Sequence, residues 1–305
     1  QEVEDDAYDA IIGIGGGSVL DTAKLLAALS YSDQKVQDVY GIGKLTGRKL
    51  FLACIPTTAG TGSEVSPNAV LLDQEENLKK GVVSPFLVPD VAYIDPVLTY
   101  TVPPGVSAST GIDALTHCLE AYANKFAHPL TDIYALEGIR LIARSLETVC
   151  KRGDHAEARA DVALGSLYGG LCLGPVNTAA VHALSYPLGG EYHIAHGISN
   201  AMLLPYVMEK NLPEAAERYA SISKAVGAAG AGDTLEQARD CIAFISRLCS
   251  RIGIPGNLSG YNIGIEDVPG LTKAAVKVQR LLKNNLRELT EQEISEVYTE
   301  LIQVD

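Results

Sequence analysis

Asp9-Ala-Ile-Ile-Gly-Ile-Gly-Gly-Gly-Ser-Val-Leu-Asp-Thr-Ala-Lys-Leu-Leu-Ala-Ala-Leu29 decides the fold class. Residues 9–14 form a short apolar run, the pattern of a buried strand. Gly15, Gly16, Gly17 and Ser18 make a tight turn, and residues 19–29 carry helical periodicity. Strand, glycine turn, helix is the arrangement that cradles a diphosphate: the glycines let backbone approach the oxygens, and the helix N-terminus offers free N–H groups. The spacing is GxGGGS, not the GxGxxG dinucleotide fingerprint, so a plain tight turn explains the glycines as well.

Two more buried strands are expected at Lys49–Ile55 and Asp90–Asp95. The first runs into Pro56-Thr-Thr-Ala-Gly-Thr-Gly-Ser-Glu64, whose hydroxyls and glycines can ring a ribose or phosphate. After Val102-Pro-Pro-Gly105 the pattern changes to long helical runs, which places a domain boundary near residue 102: an α/β domain over 1–101 and a helical domain over 102–305. Helices are expected at Ser109–Ala123, over the strongly periodic Pro129–Ala143, and over the small-residue-rich Ala156–Leu173. Pro187, Gly189 and Gly190 are expected to break helix. Further helices are read at Pro213–Val226, Thr234–Ile252 and Val268–Leu282. Thr290-Glu-Gln-Glu293 reads as a capping box opening a last helix to Ile302.

Within the helical half, Gly111-Ile-Asp-Ala-Leu-Thr-His117 places Asp113 and His117 four apart, hence on one face of a helix. A carboxylate and an imidazole so placed can grip one divalent ion. Two distant imidazoles, His182 and His196, can complete a set of one carboxylate and three histidines. The chain has only six His, and four of them fall in Gly111–His117 and His182–His196. A surface pair on a helix, with the later His in loops, is the alternative.

The chain of 305 residues is long enough for two domains with substantial cores. Its net charge of −13 argues against nucleic acid or an anionic membrane as partner. No apolar run approaches the ~18 residues of a membrane span, and no signal peptide is visible. The six cysteines lack CxxC spacing and lie mostly in apolar runs, so they read as reduced core thiols of a cytoplasmic protein.

Gly15-Gly-Gly-Ser-Val-Leu-Asp-Thr-Ala-Lys24, PTTAGTGSE at 56–64, the Gly111–His117 motif and Pro187-Leu-Gly-Gly-Glu-Tyr-His-Ile-Ala-His-Gly-Ile-Ser-Asn-Ala201 occur together and in order. The chain therefore resembles the iron-containing (group III) alcohol dehydrogenases from about Asp9 to Ile302. The resemblance implies a dehydroquinate-synthase-like fold: a Rossmann-like α/β domain, here N-terminally incomplete, plus an all-α metal-binding domain. The family has βα units before Gly13, roughly 80 residues by typical unit lengths, which are missing here and would help select NAD or NADP. The resemblance implies Asp113, His117, His182 and His196 as metal ligands. It implies Gly15, Gly16, Gly17, Ser18, Asp21, Thr57, Thr58, Thr61, Ser63, Asn68 and Lys79 (or Lys80) as cofactor contacts.

The implied chemistry is hydride transfer between an alcohol, or an aldehyde or ketone, and NAD or NADP. Mixed N/O ligation suits Fe(II) and Zn(II) alike; the family points to Fe(II). Many relatives carry a further His four residues after the third ligand, where this chain has Tyr186. With an ordinary pKa near 10, Tyr is a poor base, so His193 is the other candidate for proton handling. Rival readings are a maleylacetate-reductase-like oxo-acid reductase, a dehydroquinate-synthase-like lyase and a truncated, non-catalytic assembly subunit. The lyase needs a Lys/Arg cluster near the metal, and none lies between Gly105 and Asn124. Oligomeric state, a homodimer or larger homo-oligomer included, is not read from any residue.

Overall fold

Glycine turns and apolar runs set the first half. The protein is described here by a computed structural model over residues 8–73 and 78–303. In chain order the first half contains β1 (Ala10–Gly15), α1 (Gly17–Leu29), α2 (Val36–Val39), β2 (Gly41–Ile42), β3 (Phe51–Pro56), β4 (Asn68–Asp73), β5 (Leu78–Val83) and β6 (Val91–Ala92). β1, β3 and β6 form a parallel sheet in the order β1-β3-β6, with Ala10 opposite Phe51 and Ile14 opposite Ile55. These are the three strands read from sequence.

A second sheet, β2-β5-β4, was not anticipated. Its β4–β5 pair is antiparallel, with Asn68 opposite Val83 and Leu72 opposite Lys79. By sequence alone Lys79 and Lys80 could equally lie in a solvated turn. In the sheet Lys80 instead pairs with Asp73 at 2.9 Å.

Helix α1 lies between the two sheets. Leu20, Ala23 and Ala27, at helical spacing, pack with Leu50, Leu52 and Cys54 of the first. Leu25 and Ala28 turn toward Ala69 and Val82 of the second. At the seam is Lys24, with no exposed surface. Its ammonium donates to Asn68 O at 2.6 Å, Ser63 O at 2.7 Å, Ser63 Oγ at 3.1 Å and Ser66 Oγ at 3.3 Å. Asp21 is 3.9 Å away and accepts from Ser63 Oγ and from Val70 N. A buried charge is tolerable only when so compensated. Burial nevertheless pulls the Lys24 pKa down to about 8, with Asp21 working against the fall.

The second half is helical: α3 (Pro104–Tyr122), α4 (Pro129–Lys151), α5 (Ala156–Leu173), α6 (Ala180–Glu191), α7 (His196–Ala225), α8 (Thr234–Arg251), α9 (Val268–Val276), α10 (Gln279–Leu282) and α11 (Glu291–Gln303). α3 begins earlier than expected because Pro104 fits the first turn, where its missing N–H has no partner to lose. From Gly111 to Asn124 every residue of this stretch is buried, for α4, α5, α6 and α7 surround it.

Other helices differ from the sequence reading as well, and α4 runs on to Lys151. α6 runs through Pro187, Gly189 and Gly190, and the break comes at Tyr192–Ala195. α7 likewise runs through Pro205 and Pro213. Residues 268–282 form two helices, not one. At Pro187 the helix lacks one N–H donor, and the buried Tyr298 hydroxyl donates to Leu184 O at 2.6 Å. The capping box is present: Glu293 N donates to Thr290 Oγ1, and Thr290 N to Glu293 Oε2. All six cysteines are free.

The Lys24 junction generates the first prediction. Lys24→Met leaves two buried carbonyls without their donor and is expected to lower unfolding stability by about 2–4 kcal/mol in urea titrations. The folded pKa of about 8 lies below the unfolded value of about 10.4. The unfolded chain therefore binds more protons between these values, and stability from this group rises as pH climbs through that window. The Met variant lacks that rise. Equal slopes of stability against pH in the two proteins would refute the assignment.

Candidate metal centre

Asp113, His117 and Glu120 stand at steps of four and three along α3, so they form one stripe on a helix without a solvent face. His182 comes from the first turn of α6, and His196 is the first residue of α7. The break at 192–195 is what lets the two imidazoles approach from different directions. Asp113 Oδ1 lies 3.6 Å from His182 Nε2, 3.8 Å from His117 Nε2 and 3.8 Å from His196 Nε2. The His117 ring stacks on His182 at 4.8 Å, and His182 meets His196 edge-on at 5.1 Å. Asp113, His182 and His196 each offer a ligand atom within 4.8 Å of the others. His117 flanks this trio against Asp113 and is outside the mutually close set.

The donor set fits a divalent ion. Metal bonds of about 2.1 Å in a tetrahedral site separate ligand atoms by about 3.4 Å, within a few tenths of the separations from Asp113. Asn200 Nδ2 lies 2.8 Å from Asp113 Oδ1, 3.2 Å from His182 Nε2 and 3.3 Å from His196 Nε2. An amide nitrogen has two hydrogens and cannot serve three acceptors. His117 Nδ1 and Asn200 Oδ1 are buried without partners. Three ligand-type atoms thus crowd one amide nitrogen, a place that a cation could take.

Glu120, absent from the sequence reading, orders this cluster. Its Oε2 is 2.6 Å from His182 Nδ1, and its Oε1 accepts from Val181 N at 2.6 Å. With Nδ1 bonded to Glu120, Nε2 is the nitrogen facing Asp113 and Asn200, and it would ligate once an ion takes the place of its proton. Such carboxylate–histidine pairs fix both ring orientation and tautomer of metal ligands. Burial works to lower the His182 pKa, but Glu120 and Asp113 outweigh it and hold the group up at about 9. Burial also opposes ionisation of Asp113, yet the three surrounding imidazoles hold its carboxyl well below the usual range. The signal for Glu120 was its place three residues after His117 on the same stripe. For Asn200 it was the four-residue step from His196.

Tyr186 lies one turn beyond His182, its ring 6.1 Å from that of His196. The residue is 39% exposed, but protein crowds its hydroxyl and this desolvation raises its pKa. His193 is exposed in a left-handed backbone conformation, φ 56°, and stands outside the mutually close donor group.

The predicted cofactor residues gather on the other half. Gly15 ends β1, Gly16 caps α1 with no side chain over the helix terminus, and Gly17 and Ser18 begin it. Thr57 N donates to Gly15 O at 2.9 Å. Thr58 lies beside Gly16, and Thr61 so close to Gly17 that an added Cβ would come within 2.7 Å. Asp21 and Ser63 are bonded to each other in the Lys24 junction. Asn68 Oδ1 is buried without a partner. Lys79 pairs with Leu72 in the β4–β5 ladder; its side chain lies outside the described residues.

The two groups of residues are separated by little. Gly62 has φ 62°, and a Cβ there would fall 2.3 Å from Gly170 Cα on α5. The neighbouring Gly169 lies against His117, 3.1 Å from where its Cβ would be to that of the histidine. The hydroxyl-rich loop also meets α3 directly: a Cβ on Gly60 would fall 2.7 Å from Thr110 Cβ, and the Gly60 backbone reaches the His117 ring.

Comparison with known proteins adds a family context. Residues 1–96 match the iron-containing alcohol dehydrogenase family, and residues 107–302 match the C-terminal part of the Fe-containing alcohol dehydrogenase family. Long-chain-alcohol dehydrogenase 1 of Geobacillus thermodenitrificans (strain NG80-2) is 44% identical over 298 residues, 96% of this chain and 75% of the relative. A crystal structure of 1,3-propanediol oxidoreductase superposes with a TM-score of 0.93 at 37% identity, covering 96% of this chain and 77% of its own. The sulfoacetaldehyde reductase of Bifidobacterium kashiwanohense in complex with NAD+ gives a TM-score of 0.89 at 30% identity, covering 97% and 77%.

Glu120→Gln keeps a hydrogen-bonding group but removes the charge behind His182. It is expected to weaken divalent-ion binding by about 10–100-fold, read by chelator competition, with the thermal midpoint as a check on folding. An unchanged ion affinity in a folded variant would overturn the role given to Glu120.

Proposed function

The chain belongs to the iron-containing alcohol dehydrogenase family, and we propose that it moves a hydride between a small alcohol or its carbonyl partner and NAD(H), with one Fe(II) held by Asp113, His117, His182 and His196. It is a metal-dependent oxidoreductase of alcohols and aldehydes, as its relatives are. The observation that carries the site assignment is the convergence of one carboxylate and three imidazoles, each within 3.8 Å of Asp113 Oδ1. Nitrogen and oxygen ligands admit Zn(II) also; the family's iron favours Fe(II). A structural neighbour holds NAD+, which favours NAD over NADP.

The division of labour follows the two cores. Residues 1–101 serve the cofactor and residues 102–305 the metal and substrate. The uncapped N-terminus of α1, at Gly16, Gly17 and Ser18, offers its N–H groups to the diphosphate. Gly15 lets the backbone approach. Thr57, Thr58 and Thr61 present hydroxyls along the same edge, and Asn68 and Lys79 serve the ribose and phosphate. Asp21 and Ser63 act through the Lys24 junction, which fixes the loop to α1.

When bound, the ion supplies Lewis-acid polarisation of the substrate oxygen. Asp113 carries the only formal charge among the ligands, so the loaded site keeps a net positive charge that suits a substrate oxygen gaining negative charge. Glu120 holds His182 in the tautomer that leaves Nε2 free. The raised pKa of Tyr186 keeps the proton on its Oη at neutral pH, so it serves as a donor to the substrate oxygen during reduction. The exposed His193 exchanges protons with solvent at the rim. Among the described residues no helix is long and apolar enough to cross a membrane, and six unpaired thiols support a cytoplasmic setting.

Elemental analysis of the purified protein is expected to find about one iron per chain, lost in Asp113→Ala and His196→Ala. Saturable quenching or enhancement of NADH fluorescence is expected as well. No NADH binding by a folded protein would favour a non-catalytic assembly role instead. Undiminished alcohol oxidation by His182→Ala would contradict the ligand set.

A further inference from the structure

Arginines with appreciable burial in this protein have answering oxygens. Arg48 pairs with Asp90, Arg218 with Asp132 and Arg287 with Glu293. The buried Arg159 donates to Gly153 O, Ser107 Oγ and Val102 O. Arg152, Arg239 and Arg247 have no acid partner, but they are exposed and water serves them. Arg280 departs from this pattern. It is half-buried, no carboxylate among the described residues pairs with it, and its hydrogen bond is a long one, 3.4 Å from Nη2 to Tyr186 Oη.

Its position is informative. α10 packs on α6, the helix that carries His182 and Tyr186. Tyr186 reaches from the Arg280 guanidinium at its hydroxyl to the His196 ring 6.1 Å away. The carboxylates of Asp113 and Glu120 act electrostatically on the same hydroxyl. An under-coordinated guanidinium fork therefore stands one tyrosine away from the imidazole cluster. A guanidinium matches carboxylate geometry with two parallel N–H groups, and partial burial strengthens that bond.

We propose that Arg280 is a specificity-determining residue that receives an anionic group, a carboxylate in the first instance, on the far end of the substrate. The enzyme then prefers hydroxy acids and their oxo-acid counterparts to uncharged alcohols and aldehydes of equal length. This rests on the alcohol–carbonyl chemistry proposed above. No new covalent step is involved: the hydride still passes between nicotinamide and carbonyl carbon, and the carboxylate is unchanged.

The test compares 4-oxobutanoate with butanal as substrates of the iron-loaded enzyme and NADH. The ratio of kcat/KM for the charged over the uncharged aldehyde is expected to exceed unity by about tenfold or more, from the strength of a charge-assisted bond. It should fall to about unity in Arg280→Gln, chiefly through KM, and be partly kept in Arg280→Lys, which retains charge but loses the fork. Raising ionic strength should lower the wild-type ratio. Titration calorimetry of succinate onto wild type and Arg280→Gln gives a readout apart from turnover, with binding lost in the variant. A wild-type ratio near unity overturns the proposal. So does an Arg280→Gln variant that lowers both substrates alike, which would make Arg280 a positioning residue for Tyr186. Failure to reduce either aldehyde with any nicotinamide would instead strike the underlying oxidoreductase assignment.

Discussion

Charge inside α3 is the constraint from which the rest of the helical half follows. Between Gly111 and Asn124 this helix has no exposed residue, yet it carries Asp113, His117 and Glu120. An unpaired ion at such a place costs several kcal/mol, so each must be met from a neighbouring helix. Glu120 is met by His182 and by Val181 N, both on α6. Asp113 is met by Asn200 on α7. One turn further on, Asn124 donates to Asn177 O, just before α6 begins. These bonds leave α6 and α7 little freedom to rotate or slide against α3. The arrangement that lowers the electrostatic cost is the one that aims three imidazole nitrogens at a carboxylate.

The coupling to the first half uses the opposite device, the removal of side chains. Gly62 meets Gly170 backbone to backbone, so closely that a Cβ on Gly62 would fall 2.3 Å from Gly170 Cα. Such contacts have no rotamers to rearrange, so the spacing between loop and metal cluster is set by backbone alone. On its far side the same loop is bonded to α1 through Lys24. The loop is thus held from two directions, by a buried ammonium and by a glycine contact. A loop so held keeps its place relative to the imidazole cluster.

Local rules made much of this legible. The strand–glycine–helix unit follows from hydrophobic period and turn chemistry, and the pairing of Asp113 with His117 follows from the pitch of a helix. His182 and His196 were candidates from the clustering of histidines, and the resemblance singled them out as ligands, since nothing in a sequence says which distant imidazoles meet. Glu120 was missed because a glutamate on a helix ordinarily faces water; only its bond to a residue 62 positions away makes it part of the site. The 68–83 hairpin was missed because its charges resemble a turn, while the ladder that orders them is between strands. Pro187 was misjudged as a helix end because Pro followed by two glycines usually is one. Tertiary packing, the Tyr298 hydroxyl on Leu184 O included, outweighs that local preference.

The reach of α11 back to α6 bears on how the protein is made. Tyr298 is 114 positions from the carbonyl it serves, and Asn284 donates to Thr178 O at the threshold of the same helix. Neither partner exists while the ribosome is still translating α7. Until then the segment that carries His182 lacks both bonds, although Asp113 and Glu120 are already in the chain. Domains are commonly completed from the N-terminal side as they emerge, whereas here a late-synthesised helix finishes an earlier one. The helix on which His182 sits is thus completed by bonds from residues 106 and 114 positions downstream of the carbonyls they serve.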